Sequence, residues 1–137
     1  MVAPMERTFL VLAGINGFLA VALGAFGAHG LQKKLAGLED AAKRLEWWET
    51  AAHYHLTHAL ALGLAAYVAS RVGAGSGAGA GAVAGWLFLA GIALFSGSLY
   101  TMTLTGVRWL GAVTPFGGVC LLAGWAAVMI AALRLPG

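Results

Sequence analysis

The sequence predicts an all-α membrane protein: a four-transmembrane-helix bundle with an amphipathic interfacial segment before the second helix. Three observations predict it. Of the 137 residues, 61% are hydrophobic and only 9% charged, and the mean hydropathy is +0.85. Soluble domains carry about 25% charged residues, and a chain this short has too much surface to hide so much apolar side chain from water. The charge-poor sequence also divides into four segments of bilayer length, at about 8–28, 50–70, 82–105 and 115–133, within one domain spanning residues 1–137. Finally, small residues recur at three- and four-residue spacing in the first two segments, a pattern that lets membrane helices approach closely.

The first span, Thr8 to Ala28, has no charge and is bounded by Glu6 and Arg7. Ala20-Val21-Ala22 is the kind of small-residue site at which a signal peptide is cut, but the apolar run continues past it, which favours a retained span. Ala13, Gly17, Ala20, Gly24 and Ala28 form its small-residue stripe, and Asn16 is its only amide, expected to hydrogen-bond a neighbouring helix. Residues 31–49 hold most of the charge. Leu31, Leu35, Leu38, Ala42 and Leu45 repeat at helical spacing, with Lys33, Asp40, Lys43 and Arg44 on other faces. Gly37 is expected to break this stretch, with a helix starting near Leu38. Glu39 with Lys43 and Asp40 with Arg44 are spaced for intrahelical pairs, and Trp47 and Trp48 for an anchor at headgroup level.

The second span, Thr50 to Ser70, opens with TAAHYHLTHALAL, which holds three of the four histidines. At about 100° per residue, His55 falls beside the stripe Ala52, Ala59, Gly63, Ala66 and Ser70, with His58 roughly 60° further round. The two histidines can share a site, whereas His53 points toward headgroups or solvent. Gly73 to Gly81, GAGSGAGAG, has no hydrophobic periodicity and is expected to be a flexible connector. No strand precedes it and no Lys-Ser or Lys-Thr follows, which argues against a phosphate loop. The third span ends in SGSLYTMTLT, with Ser96, Tyr100 and Thr103 on one face. Thr114-Pro115 opens the fourth as N-cap and first helical position.

Alternating spans bring the end of the first, the start of the second, the end of the third and the start of the fourth to one membrane face. His29, His55, His58, Tyr100 and Thr114 are therefore expected to line one polar cluster. Lys33, Lys34, Lys43, Arg44 and Arg108 lie on that side and Arg7, Arg71 and Arg134 on the other. The excess of basic residues points to a cytoplasmic histidine face. GAFGAHGL at 24–31, TAxxYHxxHAL from Thr50, FSGSLY at 95–100, TPFGG at 114–118 and Gly124-Trp125 together resemble domain-of-unknown-function family 423, small four-span membrane proteins. The resemblance implies fold and membrane location, and it brings no activity with it.

The residues point to a non-enzymatic structural, accessory or interaction module in the lipid bilayer of a bacterial inner membrane. Homo-oligomers or membrane-protein partners are expected, and no nucleic acid, because no basic patch is present. Cys120 stands alone in an apolar helix, which excludes an intrachain disulfide. No cofactor and no metal is expected. The competing readings are a metal or haem on His29, His55 and His58, a quinone or lipid headgroup at the cluster, and a small transporter. The spans carry no carboxylate of the kind coupled transport needs, and no Ser/His/acid or Cys/His set for nucleophilic catalysis can be placed.

Overall fold

The computed structural model describes residues 4–72 and 78–135. Among them are four long helices: α1 (Pro4–Leu35), α2 (Ala41–Arg71), α3 (Gly79–Thr105) and α4 (Thr114–Ala132), the last entered through a 3-10 turn at Arg108–Ala112. The fold is all-helical among the described residues. Side chains from all four helices meet in one core: Phe9 from α1, Ala61, Leu62, Ala65 and Ala66 from α2, Ala84, Phe88 and Ile92 from α3, and Leu121 and Ala127 from α4. Outside it, α1 shows Phe18 and Val21, and α4 shows Leu122 and Met129, all more than half exposed.

Three segments are long and apolar enough to cross a membrane: α1, α3 and Arg108–Ala132. Four such spans were expected, and α2 does not qualify by composition. Its three histidines, with Arg44, Glu46 and Glu49 in its early turns, lower its hydropathy. Yet α2 packs into the protein interior, with ten buried residues, His55 and His58 among them. The part of its polarity that His55 and His58 carry faces protein, which a hydropathy average cannot recognise.

The charged stretch does not form a separate interfacial helix. Leu31 and Leu35 are buried at the end of α1, the chain turns at Gly37 (φ +89°), and the remainder is the amphipathic start of α2. That helix begins at Ala41 rather than Leu38, with Asp40 at its N-cap. Arg44 pairs with Asp40 at 2.9 Å as the spacing predicted, but Lys43 pairs with Glu46 at 2.8 Å instead of Glu39, because Glu39 precedes the first helical turn. Trp48 is no headgroup anchor. It is 3% exposed, and its indole N–H donates to the Leu23 carbonyl at 2.8 Å. Its ring lies against Gly27, where any Cβ would collide with it. Trp47 is half-buried.

The glycine run is also shorter as a connector than its composition suggests. Residues 73–77 lie outside the described ones, but Ala78 onward is helical. Gly81 is buried against the backbone of Ala69, a contact closed to any larger residue. At the opposite end, Gly106 (φ +74°) closes α3 with its N–H on the Met102 carbonyl at 2.8 Å, a left-handed C-cap. The Arg44 guanidinium packs on that glycine and donates to the Thr103 carbonyl at 3.3 Å, placing positive charge at the negative end of the helix dipole.

Asp40 joins this latch from a second direction, with Arg108 at 3.5 Å. The hydrogen bond from Arg44, helped by the charges of Arg44 and Arg108, holds its carboxyl below the ordinary carboxylate range. A carboxyl with a lowered folded value stabilises fully above its unfolded value of about 3.9 and loses that contribution as pH falls through the folded value. Thermal unfolding in detergent should therefore show a stability loss below about pH 4 that Asp40→Asn removes. Asp40→Asn should also melt lower than the native protein at pH 7. Equal melting of the two at pH 7 would show that the latch contributes nothing.

Candidate functional site

The polar site is built on the middle turns of α2, which aim three histidines in three directions. His53 is exposed. His55 is 5% and His58 4% exposed, and each is held by side chains from other helices.

His55 lies between α1 and α3. Its Nε2 is 3.1 Å from Oδ1 of Asn16 and its Nδ1 is 3.3 Å from the Tyr100 hydroxyl. The Asn16 nitrogen donates to the Leu12 carbonyl at 2.8 Å, which fixes the amide with its oxygen toward the imidazole. Nε2 must then carry the proton, and Nδ1 accepts from Tyr100. The Tyr100 ring is backed by the Trp48 indole, with centroids 4.5 Å apart.

His58 turns toward α4. Nδ1 lies 2.7 Å from the Tyr54 carbonyl, and the Trp125 indole N–H donates to Nε2 at 3.1 Å. A carbonyl can only accept and an indole N–H can only donate, so His58 is fixed as the neutral Nδ1–H tautomer. Each imidazole therefore has its single lone pair already engaged, on Nδ1 of His55 and on Nε2 of His58. A metal or haem iron would have to displace Tyr100 or Trp125 to reach either. Among the described residues, no three His, Cys, Asp or Glu side chains are grouped to hold a metal ion.

The hydroxyls tie the remaining helix ends. Ser96 donates to the Ala51 carbonyl at 2.8 Å. The Thr103 hydroxyl shares its one proton between the carbonyls of Leu99 at 2.9 Å and Arg44 at 3.0 Å. Thr114 does not cap α4: the helix begins one residue earlier than predicted, with Val113 at the N-cap, and the Thr114 hydroxyl instead meets Ser98 at 2.7 Å.

The five residues expected to share one lining thus fall into separate sets. His55 and Tyr100 are brought together; His58 serves the α2–α4 contact; Thr114 joins α4 to α3; His29 is exposed and lines neither of the two cavities beside this network. The first cavity, about 450 Å³, runs between α2 and α4 past Tyr54, Phe95 and Trp125. The second, about 330 Å³, opens beside His55, Asn16, Ser96 and Tyr100. Sequence reasoning missed the indole partners. Trp125 entered it only as part of a Gly-Trp pair and Trp48 only as half of a tandem. The signal available was that a buried imidazole needs a donor or acceptor on each nitrogen, and tryptophan supplies a donor on an apolar body.

Comparison with known proteins bears on this arrangement. The family described as "Protein of unknown function (DUF423)" matches residues 23–118, from within α1 to the first turns of α4. The chain belongs to this family. It is 45% identical over 128 residues to the UPF0382 membrane protein YwdK of Bacillus subtilis, covering 93% of this chain and 98% of that one. It is 43% identical over 131 residues to a UPF0382 membrane protein of Staphylococcus epidermidis, covering 96% and 99%. The UPF0382 inner membrane protein YgdD of Escherichia coli is 43% identical over 132 residues, covering 95% and 92%. No solved structure matches the chain. With three apolar helices of spanning length and membrane proteins as full-length relatives, the chain is an integral membrane protein. The family match holds His55, His58 and Tyr100, while Asn16 and Trp125 lie beyond its two ends.

Interhelical hydrogen bonds in membranes contribute about 0.6 kcal/mol on average and up to about 1.7. The His58–Trp125 bond ends on a buried, tautomer-matched imidazole, which places it in the upper part of that range. A double-mutant cycle with His58→Phe and Trp125→Phe, read by unfolding in detergent, should give a coupling of about 1–1.7 kcal/mol. Strictly additive losses would show that the bond contributes nothing.

Proposed function

We propose that the protein is a non-enzymatic four-span membrane module whose polar residues lock its helices together and which acts through contact with other membrane proteins or with copies of itself. One observation carries the reading: among the described residues, no buried side-chain nitrogen or oxygen lacks a hydrogen-bond partner. A site poised for chemistry holds reactive groups in reserve, whereas His55, His58, Ser96 and Thr103 are committed to their neighbours.

In this reading α2 is the fourth span. Its 31 residues make a helix of ~46 Å, longer than the ~30 Å hydrocarbon layer, and its two buried histidines, His55 and His58, face the bundle interior, as intramembrane polar groups do. The surface offered to partners is the open side of α1 and α2. Gly14, Gly17, Gly24 and Gly63 all have room for a side chain there, although small-residue stripes normally serve close helix contact. The E. coli relative is named an inner membrane protein, and the same cell membrane is proposed for this chain.

The detergent-purified protein should show no visible absorption band and no stoichiometric metal, and in-membrane cross-linking should capture a dimer or a partner. A haem band or bound metal would replace the locking reading with a cofactor site. A cross-linked population of monomer alone would remove the interaction half.

The histidine end is proposed to face the cytoplasm, from the five basic residues on that side against three on the other. Both termini then lie outside. A phosphatase reporter fused after Gly137 should be active and a cytoplasm-only reporter silent. The reverse pattern overturns the orientation.

A further inference from the structure

The cavity beside His55 holds hydrogen-bonding capacity that the locking network leaves unused. It measures about 330 Å³ and its lining brings Asn16 and Leu23 from α1, His55 from α2, and Ser96, Gly97 and Tyr100 from α3. Ligand pockets run from about 300 to 1,000 Å³, so this one suits a single ring system and not a two-chain lipid.

The chemistry of the lining is directional. The Asn16 amide nitrogen has two protons and gives one to Leu12, leaving one donor. The Tyr100 hydroxyl gives its proton to His55, leaving lone pairs on its oxygen as acceptors. Ser96 is committed to Ala51. The free donor and the free acceptor sit at opposite edges of one imidazole, since Asn16 is bonded to Nε2 and Tyr100 to Nδ1. A complementary ligand therefore presents one accepting oxygen and one hydroxyl at opposite ends of a short rigid body.

The surroundings set the rest of its character. Leu23, Leu89 and Ile92 supply apolar walls, and Ala93 at the margin is exposed. The site lies along two apolar helices of spanning length, α1 and α3, so a ligand reaches it through lipid. A π-helical turn at Ile92–Ser96 brackets the pocket, an irregularity that recurs at functional sites. Just beyond it, a Cβ on Gly97 would find nothing nearer than 4.0 Å.

We propose that this cavity binds the ring of a membrane-soluble para-dihydroxy aromatic carrying an isoprenoid tail, the quinol class. One ring oxygen accepts the free Asn16 N–H, and the opposite hydroxyl donates to the Tyr100 oxygen. The tail leaves over Leu89 and Leu23 into lipid. The assignment goes beyond the locking role and leaves each locking bond in place.

The test uses the full chain in lipid nanodiscs and a naphthoquinone bearing one prenyl unit, supplied oxidised or reduced with dithionite. Thermal unfolding should shift upward saturably with the reduced form, at concentrations about tenfold lower than with the oxidised form. That ratio corresponds to one hydrogen bond at the strong end of the usual range. Gly97→Leu places a side chain in the open volume and should abolish the shift while the unliganded protein melts no lower than the native one. If that variant fails to fold, Ala93→Leu at the pocket margin serves instead. Tyr100→Phe should weaken binding about tenfold, again by one hydrogen bond. Farnesol, an isoprenoid with no ring, should give no saturable shift. The proposal is overturned by a farnesol response equal to that of the quinol, by tighter binding of the oxidised form, by an undiminished response in the filled variants, or by no saturable shift with either form.

Discussion

In hydrocarbon there is no water to satisfy a polar group, so each one must find its partner within the protein. That constraint governs α2. The helix brings His55 and His58 into the interior of a largely apolar bundle, and each neighbour answers with a matched group. Asn16 comes from α1, Tyr100 and Ser96 from α3, and Trp125 from α4. Stripped of those partners, α2 would leave several buried donors and acceptors unpaired at about 1–3 kcal/mol each. The other three helices have no such debt, and their outward faces are ordinary lipid-facing apolar surface.

How much of this was legible in the sequence follows from which groups announce themselves. Helices α1, α3 and α4 are apolar runs of bilayer length, so composition alone finds them. The break at Gly37 and the Asp40–Arg44 pair come from local chemistry over a few residues, which a sequence displays directly. Trp48 was misread because the same amphipathic ring suits a headgroup layer and a buried wedge equally well. The difference lies in Gly27, 21 positions earlier, which leaves room for the indole. The division of the histidines was hidden for a similar reason. An angle of roughly 60° between His55 and His58 looks small on one helix, but the three helices packed around α2 place different neighbours on either side of it.

The apolar core and the polar network divide α2 between them along its length. Ala61, Leu62, Ala65 and Ala66 pack with Phe9 and Phe88 in its second half, where small residues allow close approach and dispersion does the holding. Hydrogen bonds hold the first half, from Trp48 to His58. The charged latch of Asp40, Arg44 and Arg108 closes the end of that half. The three regimes succeed one another along the helix, with ion pairs at its start, hydrogen bonds next and apolar packing in its second half.

Both departures from α-helical geometry in the neighbouring helices fall beside the polar half. Gly27–Leu31 of α1 and Ile92–Ser96 of α3 are π-helical turns. A π turn takes in one more residue than an α turn, so it re-phases every side chain that follows. In α3 the turn ends at Ser96, and Ser96 and Tyr100, four residues apart, then share the face toward α2, one reaching the Ala51 carbonyl and the other His55. In α1 the turn starts at Gly27, where the Trp48 ring lies, one turn after the Leu23 carbonyl that its indole bonds. An unbroken α-helix would carry the residues beyond each turn round by most of a residue's rotation, and Tyr100 would leave the line of His55. The irregular turn of α3 is thus part of the polar network, because it sets the phase at which Ser96 and Tyr100 answer the groups of α2.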